Sequence, residues 1–188
     1  MSVAAFVIGS IPSGLVIARF RGVDLKSTGS GNIGATNVLR TTGKWPAVLT
    51  LIGDLAKGAL PVAAAQYLGL GDPATGIIGL CAVLGHNFSI FLKGKGGKGV
   101  ATSIGVLLIY APKTCIVTII IWLMTVLVTR YSSLGALAAF GCMPFAMAAL
   151  DTRGKVPVAA VMSAMLFIRH KDNIARLLKG TEGRIGKQ

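Results

Sequence analysis

The segment 94–103 (GKGGKGVATS) combines residue types that suit the binding of a phosphate group. Its glycines are Gly94, Gly96, Gly97 and Gly99. A backbone with so few side chains can turn successive N–H groups toward one anion. Lys95 and Lys98 add positive charge, while Thr102 and Ser103 fall in the first turn of a helix that we expect to begin near Gly99. Because the N-terminus of that helix would add its dipole, we predict an anion-binding loop.

The glycine spacing alone is a weak signal, because two stretches of the chain carry it. The pattern G-x-G-x-x-G occurs at 94–99 and again at 29–34. A dinucleotide-binding loop would also need a preceding strand, which neither stretch has, and the spacing of a P-loop is not met. The alternative interpretation is a basic connector beside a membrane.

A second segment, 29–40 (GSGNIGATNVLR), carries side chains that can donate hydrogen bonds to phosphate oxygens. These donors are Ser30, Asn32, Thr36 and Asn37. Arg40 ends the segment with a planar guanidinium group suited to a dianion. The alternative is an exposed turn whose arginine lies at the membrane surface.

Ionisable residues also occur within or beside apolar segments. Asp54 and Lys57 are three residues apart in a helical stretch, and we interpret them as a structural ion pair facing the bundle interior. His86 and Asn87 end another apolar stretch just before the glycine loop. They either contact a bound phosphate or form an internally satisfied structural group.

The C-terminal segment 169–183 (RHKDNIARLLKGTEG) contains a third group of polar residues. His170 and Asn173 are three residues apart, so we expect them to share one helix face. His170 could bind phosphate or move a proton near neutral pH. The alternative is a solvated amphipathic helix on the membrane surface.

The composition places these segments on a membrane protein of a single domain, 1–188. Of its 188 residues 53% are hydrophobic and only 13% are charged, against about 25% charged in soluble domains. The 19 Lys and Arg against 6 Asp and Glu would suggest nucleic-acid binding in a soluble protein. Since apolar segments separate these charges, we expect attraction to anionic lipid and anionic substrates and no nucleic-acid partner. No basic segment precedes the first apolar run, so we expect no cleaved signal peptide.

Seven apolar spans are predicted, which makes the fold an all-α polytopic membrane protein with seven transmembrane helices. They cover residues 2–20, 45–68, 74–92, 99–111, 113–129, 132–150 and 157–168. The fourth and seventh are shorter than the ~20 residues of a full span. With the N-terminus outside, 15 of the 19 Lys and Arg are cytoplasmic and 3 are outside. Joining the fourth and fifth spans across Pro112 would give six spans and a far weaker excess of Lys and Arg on the cytoplasmic side. We therefore predict a break at Pro112 and a cytoplasmic C-terminus.

Together these residues closely resemble the bacterial acyl-phosphate:glycerol-3-phosphate acyltransferases, the PlsY family. The resemblance runs through nearly the whole chain, with long motifs in the same order. The matching motifs are GSIPSG at 9–14, GSGNIGATNVLR at 29–40, DLAKG at 54–58, GHNFSIFLKGKGGKGVAT at 85–102, and the tail pattern of His170, Asn173, Gly180 and Glu182. The chain departs from the family pattern before Gly9, where fewer residues stand than expected, and this concerns only the outer end of the first span.

The resemblance implies a multi-pass enzyme of the bacterial cytoplasmic (inner) membrane with its active site facing the cytoplasm. It would transfer a fatty acyl group from acyl phosphate to the 1-hydroxyl of sn-glycerol 3-phosphate, releasing lysophosphatidate and inorganic phosphate at the first step of phospholipid synthesis. The expected partners are these two substrates and membrane lipid, and the expected state is a monomer. No cofactor and no metal are expected.

The resemblance also assigns roles to individual residues. It implies that Ser30, Arg40, His170 and Asn173 are essential and that Glu182 is structurally important. With Lys98 added, the predicted catalytic residues are Ser30, Arg40, Lys98, His170 and Asn173. The predicted substrate-binding residues are Gly31, Asn32, Asn37, His86, Asn87, Gly94, Gly96, Gly97, Gly99, Thr102 and Ser103.

Two features of the sequence bear on the mechanism and its rivals. A His followed five residues later by Asp, the usual signature of membrane acyltransferases, does not occur, and either His170 or a substrate phosphate oxygen could be the general base. Cys81, Cys115 and Cys142 all lie in apolar spans, so we predict direct transfer without an acyl-enzyme. The alternatives are a transporter or channel for a phosphorylated metabolite, and a non-catalytic lipid-binding protein.

Overall fold

The computed structural model describes residues 1–186, which form an all-helical bundle. Lys187, counted above among the cytoplasmic cations of the tail, lies outside the described residues. The α-helices are α1 (Ser2–Ser10), α2 (Ser13–Arg19), α3 (Ala35–Thr42), α4 (Lys44–Tyr67), α5 (Asp72–Asn87), α6 (Val100–Tyr110), α7 (Pro112–Thr129), α8 (Ser132–Leu150), α9 (Val156–Arg169) and α10 (Lys171–Leu178). Single turns of 3₁₀ helix follow α5 at Ile90–Leu92 and precede α9 at Arg153–Lys155.

All seven predicted apolar segments are helical, although the first is split between α1 and α2. The split occurs at Ile11 and Pro12, because proline has no N–H to continue the helical hydrogen bonds. Within the described residues, five helical segments are long and apolar enough to cross a membrane. They are Ser2–Arg19, Lys44–Tyr67, Asp72–Leu92, Pro112–Thr129 and Ser132–Leu150. The remaining two, α6 with 11 residues and α9 with 14, are shorter than a full span, as their sequences indicated.

The predicted break before Pro112 is confirmed. α6 ends at Tyr110, Ala111 leaves the helical region at φ −151°, and Pro112 is the first residue of α7. A proline suits the first position of a helix, where its missing N–H would have no intrahelical acceptor. α6 and α7 are therefore two separate helices.

Small residues allow the central helices to approach closely. Gly9 and Gly85 lie where α1 packs on α5, and a Cβ at either position would collide with the backbone of the facing helix. Gly58 and Gly105 lie where α4 packs on α6, and a Cβ at either position would likewise collide with the facing backbone. In lipid, such close packing is a main source of helix association. These contacts set α6 against the middle of α4, and the N–H groups of Gly96 and Gly97 hold the loop before α6 to the end of α5.

Part of the segment expected to be a loop is helical. Residues 35–42, which overlap the segment 29–40, form α3, and only 29–34 remain irregular. The helix has only eight residues, so its apolar period is too short to stand out in the sequence. Its buried side chains are Asn37 and Val38, which pack it onto the beginning of α4.

Candidate active site

A cavity of about 720 Å³ opens at the end of the bundle where the three polar segments meet. Its polar end contains all five predicted catalytic residues, Ser30, Arg40, Lys98, His170 and Asn173. Four predicted substrate-binding residues also line it, Asn32, Asn37, His86 and Gly99. Residues more than 130 positions apart in the sequence are thus brought to one place, which supports the prediction of a single site.

The other end of the cavity is apolar and extends between the helices. α4 contributes Ala47, Val48, Leu51 and Leu55, α6 contributes Val100 and Ile104, α7 contributes Ile119 and Trp122, and α8 contributes Ala136 and Phe140. Leu51 and Val48 are 42% and 43% exposed, although they sit on a helix that is apolar enough to face lipid. The apolar end is therefore suited to a hydrocarbon chain that enters from the membrane.

Lys98 projects from the glycine loop into a hydrogen-bonded chain. Its Nζ donates to Asn173 Oδ1, and Asn173 Nδ2 donates to Glu182 Oε1 at 2.6 Å. Burial, and to a smaller extent the positive charge of Arg176, lowers the pKa of Lys98 to about 8. Lys98 is thus mostly protonated at neutral pH. The free energy that its burial costs would be offset by a bound anion.

Glu182 organises the C-terminal segment around this chain. Besides Asn173, its carboxylate accepts hydrogen bonds from Ser133 Oγ at 2.6 Å and from Arg176 Nε at 2.7 Å. Burial by itself would raise the pKa of Glu182, but these three hydrogen bonds and the Arg176 charge outweigh it and hold the pKa below the usual range. Glu182 is therefore ionised at neutral pH and bridges α8 to α10. Sequence reasoning missed Ser133 and Arg176, because neither stands in a motif with an obvious chemical role.

His170 does not lie inside a helix with Asn173, and in this respect the sequence-based expectation was wrong. It is the residue between α9 and α10, at φ −99° and ψ 9°, and it is buried. Its Nδ1 lies 2.9 Å from the carbonyl oxygen of Leu166. Since a carbonyl only accepts hydrogen bonds, Nδ1 carries the proton and Nε2 is the acceptor of the neutral ring. Burial lowers the pKa of His170 to about 4, partly offset by this hydrogen bond, so the ring is neutral at pH 7.

Arg40 and the tail close one side of the cavity. Arg40 Nη2 donates to the carbonyl oxygen of Gly183 at 2.8 Å, and Ile185 N donates to the carbonyl oxygen of Arg130 at the same distance. The side chain of Arg40 is otherwise exposed at the cavity mouth. Its guanidinium therefore keeps donors for an anion while it holds the tail in place.

Asn37 orders the first loop through its side-chain amide. Its Oδ1 accepts from the backbone N–H of Ser30 at 2.8 Å. Its Nδ2 donates to the backbone carbonyls of Asn32 at 2.8 Å and Thr28 at 3.1 Å. The amide is thus engaged within the loop, and the free hydroxyl of Ser30 is positioned by it.

The glycine loop uses its N–H groups differently from the sequence-based prediction. The N–H groups of residues 94–97 donate to backbone carbonyls of the preceding segment, namely those of Ser89, Leu92, Asn87 and His86 in that order. Among residues 1–186, the N–H groups of Lys98, Gly99, Val100 and Ala101 have no such acceptor. These four lie at the N-terminus of α6, where helical N–H groups are free, and all four residues line the cavity. A ligand in the cavity can therefore reach unpaired N–H groups at 98–101, whereas Gly94, Gly96 and Gly97 shape the turn that leads to them.

The other predicted binding residues lie behind or beside this cavity. Gly31, Gly94 and Gly96 line a separate surface pocket of about 330 Å³, together with Lys26, Lys95 and Arg169. Arg169, which the sequence did not single out, donates to the carbonyl oxygens of Gly96 and Gly97 at 2.9 and 3.0 Å. Asn87, Thr102 and Ser103 are buried against neighbouring helices. These three residues therefore lie behind the cavity and do not line it.

The part of the chain that the structure describes holds no group of three His, Cys, Asp or Glu side chains that could bind a metal ion. The chemistry available in the cavity is instead that of fixed positive charge and hydrogen-bond donors. An arrangement of this kind binds phosphate and stabilises negative charge that develops on a reacting oxygen.

Comparisons with known proteins found related sequences. The sequence model described as glycerol-3-phosphate acyltransferase matches residues 1–180. A glycerol-3-phosphate acyltransferase of Geobacter sulfurreducens is 45% identical over 185 residues, covering 98% of this chain and 95% of that protein. The protein of the same name from Bordetella pertussis is 50% identical over 195 residues, covering 99% and 91%.

Two solved structures share the fold. Both are crystal structures of PlsY, an integral membrane glycerol 3-phosphate acyltransferase. The glycerol 3-phosphate form has a TM-score of 0.93 and 38% identity, covering 98% of this chain and 94% of that one. The lysophosphatidic acid form has a TM-score of 0.91 and 37% identity, covering 98% and 93%.

Proposed function

This chain belongs to the glycerol-3-phosphate acyltransferase family, and we propose that it transfers a fatty acyl group from acyl phosphate to the 1-hydroxyl of sn-glycerol 3-phosphate. The products are lysophosphatidate and inorganic phosphate. One observation carries the proposal: a single cavity joins an end rich in cations and free N–H groups to an apolar end between the helices. A reaction that unites a phosphorylated metabolite with a lipid acyl chain needs both kinds of surface.

In this mechanism the polar end of the cavity holds the phosphate groups. Lys98, Arg40 and the free N–H groups of 98–101 bind phosphate oxygens, and the hydroxyl of Ser30 adds a donor. The acyl chain lies along the apolar walls of α4 and α7. Held side by side, the two substrates react as if they were parts of one molecule. Positive charge then stabilises the oxygen that becomes negative as the hydroxyl attacks the acyl carbon.

The structure favours a substrate phosphate oxygen as the general base over His170. A histidine with a pKa of about 4 is a weak base, whereas the second pKa of a phosphate monoester is ≈ 6. Neutral His170 instead accepts a hydrogen bond at Nε2 and orients the attacking hydroxyl. The hydroxyl proton passes to that phosphate oxygen while the bond between the acyl carbon and the phosphate oxygen breaks, and the electron pair of this bond leaves with inorganic phosphate, so protons and charge balance.

The assay that tests the proposed function measures inorganic phosphate released from acyl phosphate by the purified protein in detergent. We expect release that requires glycerol 3-phosphate and is matched, mole for mole, by lysophosphatidate. Release that is independent of glycerol 3-phosphate would contradict the proposal. Movement of glycerol 3-phosphate into sealed vesicles without acylation would favour the transporter alternative.

We predict direct transfer with no covalent acyl-enzyme. Cys115 is buried within α7 and its Sγ faces the carbonyl oxygen of Ile104, not the cavity, and none of the three cysteines lines the cavity. Phosphate is already a good leaving group, so an enzyme nucleophile would gain little. The triple Cys→Ser variant should therefore keep most of its activity, and two-substrate kinetics should be sequential. Ping-pong kinetics, or an acyl adduct trapped on Ser30, would contradict this prediction.

We also propose that the chain crosses the bacterial cytoplasmic membrane seven times, with the N-terminus outside and the cavity facing the cytoplasm. Supporting this orientation, Lys98, Arg40 and the tail lie at the same end of the bundle. In the cysteine-free variant, a cysteine at Lys179 should react with an impermeant reagent only after the cytoplasmic face is opened, and one at Lys113 should react from outside. The reverse pattern would separate the cavity from soluble glycerol 3-phosphate. We also propose that the monomer is the active state.

A further inference from the structure

Three buried ionisable side chains lie together just beneath the cavity, and the proposed reaction does not use them. Lys57 Nζ lies 2.9 Å from Asp54 Oδ1 and donates to the carbonyl oxygen of Ile11 at 2.9 Å. His86 Nδ1 lies 3.8 Å from the same carboxylate oxygen. These side chains are at most 5% exposed, and Asp54 and His86 reach the cavity wall. We refer to Asp54, Lys57 and His86 as the buried triad.

The triad joins elements that are far apart in sequence. Lys57 of α4 binds the carbonyl that the break between α1 and α2 leaves without a helical partner. Asp54 lies one turn earlier on α4 and faces His86, which is near the end of α5. Burying a charged pair in a bundle costs free energy that its own attraction barely repays, so stability alone is a poor reason for it. A role in positioning the glycine loop accounts better for the burial of this charged pair.

The ring of His86 supports the glycine loop. The backbone carbonyl of this residue accepts the N–H of Gly97 at 3.0 Å. The ring fills the space in front of Gly97, so that a Cβ at this position would overlap Nε2, Cε1 and Cδ2. Gly97 immediately precedes Lys98, which lines the cavity. The orientation of the His86 ring therefore sets the position of Lys98 and of the N-terminus of α6 in the cavity.

Asp54 is the group that can hold this ring in place. Within the described residues, His86 Nδ1 is buried without a hydrogen-bond partner, and the Asp54 carboxylate is the acceptor in front of it. Buried polar nitrogens are nearly always paired, and a small rotation of the ring would shorten the 3.8 Å separation to a hydrogen bond with Asp54. A carboxylate on Nδ1 keeps the proton there and fixes the ring plane.

We propose that Asp54 is a positioning residue that acts through His86 on the glycine loop and so sets the affinity for glycerol 3-phosphate, with Lys57 as its counter-ion. This inference rests on the proposed function, because the loop is taken to bind that substrate. It assigns the DLAKG segment a role in substrate affinity rather than in bundle stability alone.

The decisive comparison uses a variant in which removal of Asp54 leaves no unpaired charge. Asp54→Asn alone strands the Lys57 ammonium, so Asp54→Asn/Lys57→Met is made beside it, together with His86→Asn and the triple combination. The KM for each substrate, kcat and the thermal midpoint are measured for all of them. Asp72→Asn is the matched control, since Asp72 pairs with Lys155 at 3.5 Å on the opposite side of the molecule from the cavity.

The positioning role predicts that the double substitution Asp54→Asn/Lys57→Met recovers the thermal midpoint while the KM for glycerol 3-phosphate stays raised by about tenfold, with kcat changed less. Adding His86→Asn should raise that KM no further, because both changes act through one ring. Return of the KM to the wild-type value in the double variant would show a purely structural ion pair and overturn the inference. So would additive effects, or an unchanged KM in His86→Asn. If the wild-type protein itself lacks glycerol 3-phosphate-dependent activity, the proposed function fails instead.

Discussion

Replacing Lys98 by methionine is expected to lower kcat/KM roughly a hundred- to a thousand-fold, the loss typical of removing one donor that stabilises a developing negative charge. Lys98 lines the cavity, and its Nζ is held by Asn173, whose amide is held in turn by Glu182. Methionine fills a similar volume, so the packing around the loop should change little. The measurement is the steady-state rate for both substrates at pH 7.

The pH dependence of the same side chain gives a second readout of this prediction. Burial lowers the pKa of Lys98 to about 8, so the ammonium form required for phosphate binding is lost as the pH rises through about 8. In the free enzyme kcat/KM should therefore fall on the alkaline side, while kcat, measured with the anion bound, should fall at higher pH. Lys98→Arg should move this alkaline limb out of the accessible range, because guanidinium stays protonated.

Lys93 provides the matched control for Lys98. It lies five residues earlier in the chain, is exposed, and lines neither pocket. Lys93→Met should keep nearly wild-type kinetics, which separates the specific effect of Lys98 from a general loss of positive charge. Comparable losses in the Lys93 and Lys98 variants, or an alkaline limb that persists in Lys98→Arg, would contradict the assignment.

Gly97→Ala is expected to lower kcat/KM for glycerol 3-phosphate about a hundredfold, mainly through KM. The added Cβ would overlap the His86 ring, so either the ring or the loop that carries Lys98 must move. A displacement of about 1 Å in a group that positions substrate can cost 10²-fold in rate. The cause is this collision rather than backbone strain, since positive φ occurs at Gly94 and Gly99 but not at Gly97.

The collision can be tested by removing the ring. In a His86→Ala background, Gly97→Ala should add little to the effect of His86→Ala alone, because the atoms nearest the new Cβ all belong to that ring. Gly96→Ala is the matched control: its Cβ would meet the backbone of His86 and Asn87, which His86→Ala leaves in place. Equal rescue of both alanine variants, or of neither, would contradict this account.

The local features of the fold followed from the sequence. Apolar runs marked the helices, and Pro112 marked the break between α6 and α7, because a proline constrains the backbone at its own position. Gly99 marked the start of α6 for the opposite reason, because glycine readily adopts a positive φ, here +85°. The short amphipathic α3 was missed, since its helical form depends on packing against α4 rather than on a long apolar period.

The residue types of the site were also predictable, and so was their convergence, because the resemblance extended through all three polar segments. Lys98, His170 and Asn173 were named from the sequence, and the structure brings them to one cavity. Composition and motif order sufficed for this, since phosphate binding draws on few side-chain types. What each residue does there could not be obtained in the same way.

Only the tertiary structure decided which groups are available to a substrate. The N–H groups of Gly96 and Gly97 donate to carbonyls at the end of α5, whereas in the described part of the chain those of 98–101 have no backbone acceptor. His170 carries its proton on Nδ1 because that atom faces a carbonyl oxygen of α9. Glu182 is ionised because its carboxylate accepts hydrogen bonds from side chains of α8 and α10. A hydrogen-bonding group can be satisfied by any partner that folding brings within about 3 Å. Sequence specifies the groups, whereas the packing of distant segments specifies their partners, and the partners determine charge, orientation and function.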